Sequence, residues 1–295
     1  MARLKLIIAY AGTRYAGWQI QCLPAGRPHA VQQPTVQQAV EDAAKAILGS
    51  AVRVHGAGRT DSGVHAEGQV AHLDIPDAKA AVDWRRALNA KLPEDISVLQ
   101  AAVVPDGFHA RFDAVKKRYT YRIWLTRAFV LPQRRPFVHM TGPLDIAAMD
   151  AAAAFMTGTH DFASFQNAGT ELATTVRTVY SITRTPGLAP DDFPRSHDTT
   201  PRAPLELAWH FEADGFLKQM VRNMMGLLLW TGTGRCAPED VPAIIAARDR
   251  RLSAPTAPAC GLTMERVFYP DECCPPRKLT KKSGRSRLHS FRKYP

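Results

Sequence analysis

The sequence contains little cysteine, and its five cysteines form neither a disulfide framework nor a metal-binding pattern. Their number is odd and no two of them make a C-x-x-C pair; they are Cys22, Cys236, Cys260, Cys273 and Cys274. We therefore expect a protein of a reducing, cytoplasmic compartment without structural zinc. No segment has the apolar length of a membrane span, and the chain reaches Tyr10 and Gly12 too soon for a signal peptide, so we expect a soluble protein.

Two nucleotide-binding patterns are also missing from the glycine-rich stretch at 54–73. Gly58 and Gly63 have the spacing of a phosphate-binding loop, but Val64 and His65 follow where lysine and serine or threonine are required. The glycines at 56 and 58 are not followed by a third glycine at dinucleotide spacing. The stretch therefore favours a protein that needs no nucleotide cofactor.

The net charge of +11 is concentrated at one end of the chain. Residues 277–295 contain eight basic residues and no acidic one, which leaves 30 basic against 27 acidic residues in the remainder. The tail is therefore predicted to be a disordered arm with non-specific affinity for phosphate, and a dispensable extension is the alternative.

A single carboxylate, Asp61, lies at the centre of the glycine-rich stretch. The flanking runs, Val52–His55 and Gln69–Leu73, predict two strands joined by an irregular loop. Donors surround the acid: Arg59, Thr60, Ser62 and His65. Such neighbours keep a carboxylate ionised and oriented toward a substrate. The alternative is an aspartate that only caps its own backbone amides.

The order of the remaining predicted elements is that of an α+β protein with helices on one face of a sheet. Thr35 fits a capping box at the start of the first helix. Hydrophobic periodicity predicts helices at 36–48, 84–91, 145–156, 216–226 and 238–248. Strands are expected at 3–10, 96–104, 116–125, 175–182, 205–212 and 263–269. An irregular insertion at 22–34 and a proline-rich loop at 186–204 are expected outside the core.

We expect three segments along the chain. Residues 1–107 are predicted to form an N-terminal α+β domain that carries the Asp61 loop. Residues 108–272 are predicted to form a C-terminal α+β domain, and 273–295 the basic tail.

The predicted strand Lys116–Leu125 combines tyrosines with basic residues. Tyr119 and Tyr121 share one face, and Lys117 is close to both in sequence. An aromatic ring beside basic side chains can stack on a base while the phosphate is held, although packing in the core would also explain these tyrosines.

The predicted helix that begins at Phe216 has an apolar stripe typical of a core helix. Lys218 and Arg222 are expected one turn apart on another face. An arginine can hold a carboxylate through two hydrogen bonds, but a solvated helix charge is the alternative.

The runs Gly56–Ala66, Lys117–Ile123 and Phe216–Gly226 together resemble, in this order, the signatures of the TruA-type tRNA pseudouridine synthases. The opening loop at 11–19 is similar as well, although Ala11 stands where the family usually has aspartate. The resemblance covers roughly residues 3–270.

The resemblance implies a fold and an activity. The fold is that of the pseudouridine synthases: two related α/β-sandwich domains share a mostly antiparallel sheet with helices on one side and a central basic cleft. The implied enzyme is a homodimer that binds tRNA and isomerises uridine to pseudouridine at positions 38, 39 and 40 of the anticodon stem-loop. No metal, nucleotide or other small-molecule cofactor is implied.

The resemblance also implies residue roles. Asp61 is the catalytic carboxylate, either as nucleophile or as base, Arg222 pairs with it, and Tyr119 packs against the target base. Arg59 is expected to contact phosphate or help to flip the base, because a uridine in a stem must leave its stack before the sugar is reached. Arg111, Lys117 and Lys218 are expected to bind RNA.

Two other classes of protein remain open. One is a tRNA-binding protein of the same fold without the chemistry. The other is an unrelated hydrolase that uses Asp61 with His65 or His72.

Overall fold

The computed structural model of the chain describes residues 1–20, 33–169, 173–187 and 205–270. The predicted insertion at 22–34, apart from its last two residues, lies outside these ranges. Almost all of the predicted loop at 186–204 and the basic tail at 273–295 lie outside them as well.

The described residues form one large mixed sheet with helices packed against it. In spatial order the main strands are β4-β1-β3-β10-β5-β9-β8-β7, while β2 pairs with β3 and β6 with β5. Among the described strands, the pairings β3–β10 and β5–β6 are parallel and the other seven are antiparallel. The strands are β1 (Ala2–Tyr10), β2 (His55–Gly56), β3 (His65–Ile75), β4 (Ile96–Val104), β5 (Lys116–Trp124), β6 (His139–Met140), β7 (Gly158–Asp161), β8 (Val176–Pro186), β9 (Glu206–Ala213) and β10 (Leu262–Phe268).

In the described part of the chain, five α-helices accompany the strands. They are α1 (Val36–Leu48), α2 (Trp84–Asn89), α3 (Ile146–Phe155), α4 (Met220–Gly232) and α5 (Val241–Ala247). None of the helices in the described ranges is long and apolar enough to cross a membrane.

Hydrophobic alternation explains why one face of β1 is buried. Leu4, Leu6, Ile8 and Tyr10 of β1 are all buried, and the residues between them are partly exposed. This period of two buries one face of the strand against the helices. One buried apolar cluster extends from Leu4 to Val267 and so includes residues from both halves of the chain. The predicted domain boundary between residues 107 and 108 stays a prediction.

The predicted strand at 52–55 is shorter in the structure, which has only His55–Gly56 as β2. Side chains of α1 bind the backbone of Val54 instead: its N–H donates to Glu41 Oε1 at 2.9 Å, and its carbonyl accepts from Gln37 Nε2 at 2.9 Å. These bonds replace the strand pairing that periodicity alone predicted.

The predicted helix at 216–226 begins only at Met220. Gln219 has left-handed backbone angles, with φ of 61° and ψ of 10°, which a right-handed helix cannot include. The Lys218 carbonyl accepts from Asn167 N at 3.2 Å, so this turn is bonded to a neighbouring segment. Lys218 and Arg222 therefore do not share a helical face, and that prediction was wrong.

The sheet continues across both halves of the chain at the β3–β10 pairing. Thr263 lies opposite His65, and Met264 opposite Ala66. Met264 is in turn paired with Tyr119 of β5. The start of β3, which directly follows the Asp61 loop, is thereby placed two strands from Tyr119, at roughly 10 Å.

Candidate active site

The Asp61 loop is hydrogen-bonded to the end of β1 and to the segment that follows it. The Thr60 carbonyl accepts from Trp18 N at 3.1 Å, and the Thr60 hydroxyl bonds the buried hydroxyl of Tyr10 at 2.8 Å. Gly17 has φ of +98°, and a Cβ there would lie 2.4 Å from the Thr60 carbonyl oxygen. Only glycine allows this approach. The Asp61 loop is therefore fixed by its contact with the segment that contains Gly17 and Trp18.

Neither histidine considered for a hydrolytic pair is hydrogen-bonded to Asp61. Nδ1 of His65 accepts from Gly12 N at 3.1 Å, and Nδ1 of His72 accepts from Ala110 N at 3.2 Å. Both rings are buried, and burial lowers the pKa of each imidazole, that of His72 to about 4. The hydrolase alternative therefore lacks its base.

Arg222 meets the Asp61 carboxylate. Arg222 Nη1 donates to Asp61 Oδ2 at 3.2 Å, and only 14% of the Arg222 side chain is exposed, against 31% of Asp61. Arg222 Nε donates to the carbonyl of Ala257 at 2.7 Å, and Ala257 N donates back to the Arg222 carbonyl at 3.1 Å. The guanidinium is thus fixed by a backbone carbonyl on one side and a partly exposed carboxylate on the other.

Close packing of α4 on the segment at 255–257 makes that arrangement possible. A Cβ on Gly226 would lie 2.0 Å from the carbonyl oxygen of Pro255. A glycine is therefore required one turn after Arg222, so that the segment carrying the Ala257 carbonyl can reach the helix.

Tyr119 lies in the same region with its ring buried. Its ring meets that of Phe216 edge to face at a centroid distance of 5.2 Å. Burial, and then the charges of Tyr10 and Asp61, raise the pKa of the Tyr119 hydroxyl well above its ordinary value. The phenol is therefore neutral at physiological pH.

Lys117 supports the Asp61 loop from β5. Its ammonium donates to the carbonyl of Ala57 at 2.7 Å. Burial, together with the nearby charges of Arg111 and Arg177, lowers the pKa of Lys117 to about 8. Within the described ranges no carboxylate forms an ion pair with Lys117, Arg111 or Arg177. Among the described residues, these three cations therefore leave a positive charge beside the loop that no carboxylate pairs with.

The other predicted RNA-binding residues lie at the surface. Arg59 is exposed and makes no hydrogen bond or ion pair with the residues that the structure describes. Arg111 lies over the ring of Phe112 at 5.8 Å, and Phe112 is 74% exposed. Lys218 donates to the Ala168 carbonyl at 2.8 Å. The structure therefore brings Asp61, Tyr119, Arg222 and Lys117 together, whereas Arg59, Arg111 and Lys218 surround them without direct contact.

Sequence reasoning missed Ala257, whose carbonyl orients Arg222, because a backbone acceptor leaves no signal in the side-chain pattern. The glycine at 226 inside an apolar helix was the available signal of a close backbone approach. Among the described residues, no group of three or more His, Cys, Asp or Glu side chains could hold a metal ion.

Comparison with known proteins gives consistent matches over almost the whole chain. A family profile described as tRNA pseudouridine synthase matches residues 6–113 and 151–270. The chain is 56% identical over 282 residues to tRNA pseudouridine synthase A of Nitratidesulfovibrio vulgaris strain Miyazaki F, covering 91% of this chain and 100% of that protein. It is 51% identical to the protein of the same name from Lawsonia intracellularis, with 91% and 100% covered. The corresponding Geobacillus kaustophilus protein is 40% identical, with 92% and 96% covered.

Proposed function

Since this chain belongs to the tRNA pseudouridine synthase family, we propose that it isomerises uridine to pseudouridine at positions 38, 39 and 40 in the anticodon stem-loop of tRNA. It is an isomerase that acts on tRNA. The observation that supports this function most directly is the Asp61–Arg222 pair beside the buried Tyr119 hydroxyl.

The reaction exchanges one bond to the sugar for another. The bond from N1 of uracil to C1′ breaks, the detached base turns, and C5 bonds to C1′. The C5 proton is then lost and N1 gains a proton, so that the product is an isomer and no oxidant or reductant is consumed.

In this proposal Asp61 starts the reaction, either by attack on C1′ or by removal of a sugar proton. Both roles need an ionised, oriented carboxylate. Arg222 supplies the orientation, because its guanidinium cannot lose its proton and is itself held by Ala257. The partly exposed Asp61 side chain leaves room for a sugar.

Tyr119 packs against the base and takes part as a neutral phenol. Because burial raises its pKa, Tyr119 is not ionised at neutral pH and does not act as a phenolate base toward the C5 proton. It can accept that proton only while it passes its own to another acceptor, and the nearby Asp61 carboxylate, whose charge raises the pKa of Tyr119, is suited to receive it.

The basic residues around the loop bind the RNA backbone in this proposal. Lys117 and Arg111 contribute charge beside the Asp61 loop, and Arg59, exposed and next but one to Asp61, contacts the flipped nucleotide. We also propose a cytoplasmic homodimer that binds tRNA across both subunits. Sedimentation of the free protein and of its tRNA complex would test the dimer, and a monomer in both samples would contradict it.

The deciding experiment is tritium release from unmodified tRNA transcripts labelled at uridine C5. Wild-type protein is compared with Asp61→Ala without any added cofactor, and tRNA binding is measured on the same samples. Release by wild type alone, with tRNA binding kept in the variant, supports the proposal. If folded wild type binds tRNA but releases no tritium, the protein is a tRNA-binding protein without the chemistry.

A further inference from the structure

A second feature of the described structure is an open pocket of about 470 Å³ beside the start of α4. It is lined by Asn167, Ala168, Lys218, Gln219 and Arg250, so two of the five lining residues are cationic and none is acidic. Lys218 and Gln219 belong to the turn that precedes α4, and Arg222 of that helix does not line the pocket.

Arg250 is unusual because, among the described residues, only neutral groups accept its hydrogen bonds. Its Nε donates to Asn167 Oδ1 at 2.9 Å, and one Nη2 bond reaches Asn223 Oδ1 at 3.0 Å. The remaining acceptors are Thr256 Oγ1 and the carbonyls of Ser253 and Ala254. The guanidinium is thus rigidly placed, and no carboxylate of the described ranges takes part.

The pKa of Arg250 shifts in the opposite direction from that of arginines that are paired with a carboxylate. Carboxylate partners raise the pKa of Arg3, Arg118 and Arg184, whereas burial alone lowers that of Arg250. A charge that is partly removed from water without a counter-ion destabilises its surroundings. An anion in the pocket would supply the missing counter-ion.

Lys218 provides donors that can reach such an anion. One of its three ammonium protons is used on the Ala168 carbonyl at 2.8 Å, and this bond holds the ammonium at the pocket. No described carboxylate forms an ion pair with Lys218. Two ammonium protons of Lys218 therefore remain for a ligand, and the Arg250 guanidinium, which also lines the pocket, adds a second positive charge.

We propose that this pocket is a phosphate subsite that binds one backbone phosphodiester of the tRNA, at a nucleotide next to the one that meets Asp61. Lys218 and Gln219 of the pocket lie in the turn just before α4, and Arg222 lies in the first turn of that helix, so the pocket is near the residue that holds Asp61. The Arg250–Asn223 hydrogen bond joins the pocket to the residue after Arg222. The inference rests on the proposed function for its ligand, since it takes the anion to belong to the substrate RNA.

The test uses a synthetic anticodon stem-loop in which single phosphodiesters are replaced, one at a time, by neutral methylphosphonates. Binding is measured in the Asp61→Ala background, so that no turnover occurs. For one replacement we expect affinity to fall about tenfold with Lys218 present and to be unchanged with Lys218→Ala. Lys218→Arg should restore the sensitivity, because the charge returns.

Salt dependence provides a second measurement. Loss of one phosphate contact should make the slope of log affinity against log salt shallower by about 0.7 to 0.9 in Lys218→Ala. Lys45→Ala, which removes an exposed lysine from α1, is the matched control and should keep the wild-type slope. Arg250→Lys should weaken binding of the unmodified RNA with a cooperative unfolding transition retained.

The outcomes separate this inference from the proposed function. If wild type releases tritium normally but every methylphosphonate affects binding by Asp61→Ala equally with and without Lys218→Ala, the pocket proposal is wrong and the isomerase remains. If a replacement shows the expected coupling while tritium is not released, the phosphate subsite stands without the chemistry.

Discussion

Replacement of Lys117 by methionine should stabilise the protein at neutral pH while it impairs the proposed enzyme. The pKa of this lysine is lowered from 10.5 to about 8. Such a change corresponds to roughly 3 kcal/mol of unfavourable free energy in the folded state at pH 7. Loss of the hydrogen bond to Ala57 offsets about 1 kcal/mol of the gain. Lys117→Met should therefore raise the free energy of unfolding by about 2 kcal/mol at pH 7.

The pH dependence of this gain identifies its cause. Below pH 8 the lysine is protonated in both states, and the folded protein carries the whole penalty. Between pH 8 and 10.5 the folded protein releases the proton first, so wild-type stability rises with pH in that interval. At pH 10 the advantage of Lys117→Met should have almost disappeared.

Urea unfolding of wild type and Lys117→Met at pH 7 and pH 10 measures both values. Lys116→Met is the matched control, because Lys116 is paired with Glu212 at 2.7 Å, and its loss should be neutral or destabilising at pH 7. A gain of equal size at both pH values would refute the desolvation argument. A loss of stability in Lys117→Met at pH 7 would refute it too.

Three further predictions concern other parts of the site and the core. Gly226→Ala should destabilise the protein by about 1–3 kcal/mol and lower tritium release, because the added Cβ would meet the Pro255 carbonyl; Gly107→Ala, with no atom near the added Cβ, is the urea-unfolding control and should show neither effect. Arg222→Lys should reduce turnover at least about tenfold and affinity for tRNA little, since one ammonium cannot reproduce the fixed guanidinium; single-turnover kinetics and filter binding decide it, and equal losses in both would contradict a positioning role. The free energy of unfolding of wild type should fall as pH decreases from 6.5 to about 4, because His72 gains a proton in the unfolded chain but not in the folded protein over that interval. In urea unfolding, the free energy of His72→Gln should depend less on pH. An identical pH dependence in the two proteins would assign the loss to other groups.

Local signals pointed to one residue of the candidate site: Asp61 lies in a glycine-rich loop whose sequence is visible without any structure. Tyr119 and Arg222 were predicted from the resemblance of their segments to the family signatures, because periodicity alone also allowed core packing and a solvated charge. Most helices and strands follow from hydrophobic alternation in the same way, as β1 shows. The family was also identified from these segments, and the comparisons confirmed it.

What the sequence could not predict depends on contacts between distant residues. Gln219 leaves the helical region although its neighbours continue an apolar stripe, because the turn before α4 is bonded to Asn167. The backbone N–H and carbonyl of Val54 bind side chains of α1 and not a neighbouring strand. The depressed pKa of Lys117 requires its burial against Ala57 and the charges of neighbouring elements. No periodicity in one segment contains such information.

The position of β10 has a consequence for synthesis on the ribosome. This strand lies in the middle of the sheet, between β3 and β5, although it is the last described element of the chain. About 200 residues separate Asp61 from Leu262, which corresponds to roughly 10–40 s of translation at typical rates. Until β10 is synthesised, the facing edges of β3 and β5 have no strand between them, and the Asp61–Arg222 pair cannot form before Arg222 and Ala257 have been made. A nascent chain therefore gains its reaction centre in one late step, and a prematurely terminated chain carries the Asp61 loop without the site it belongs to.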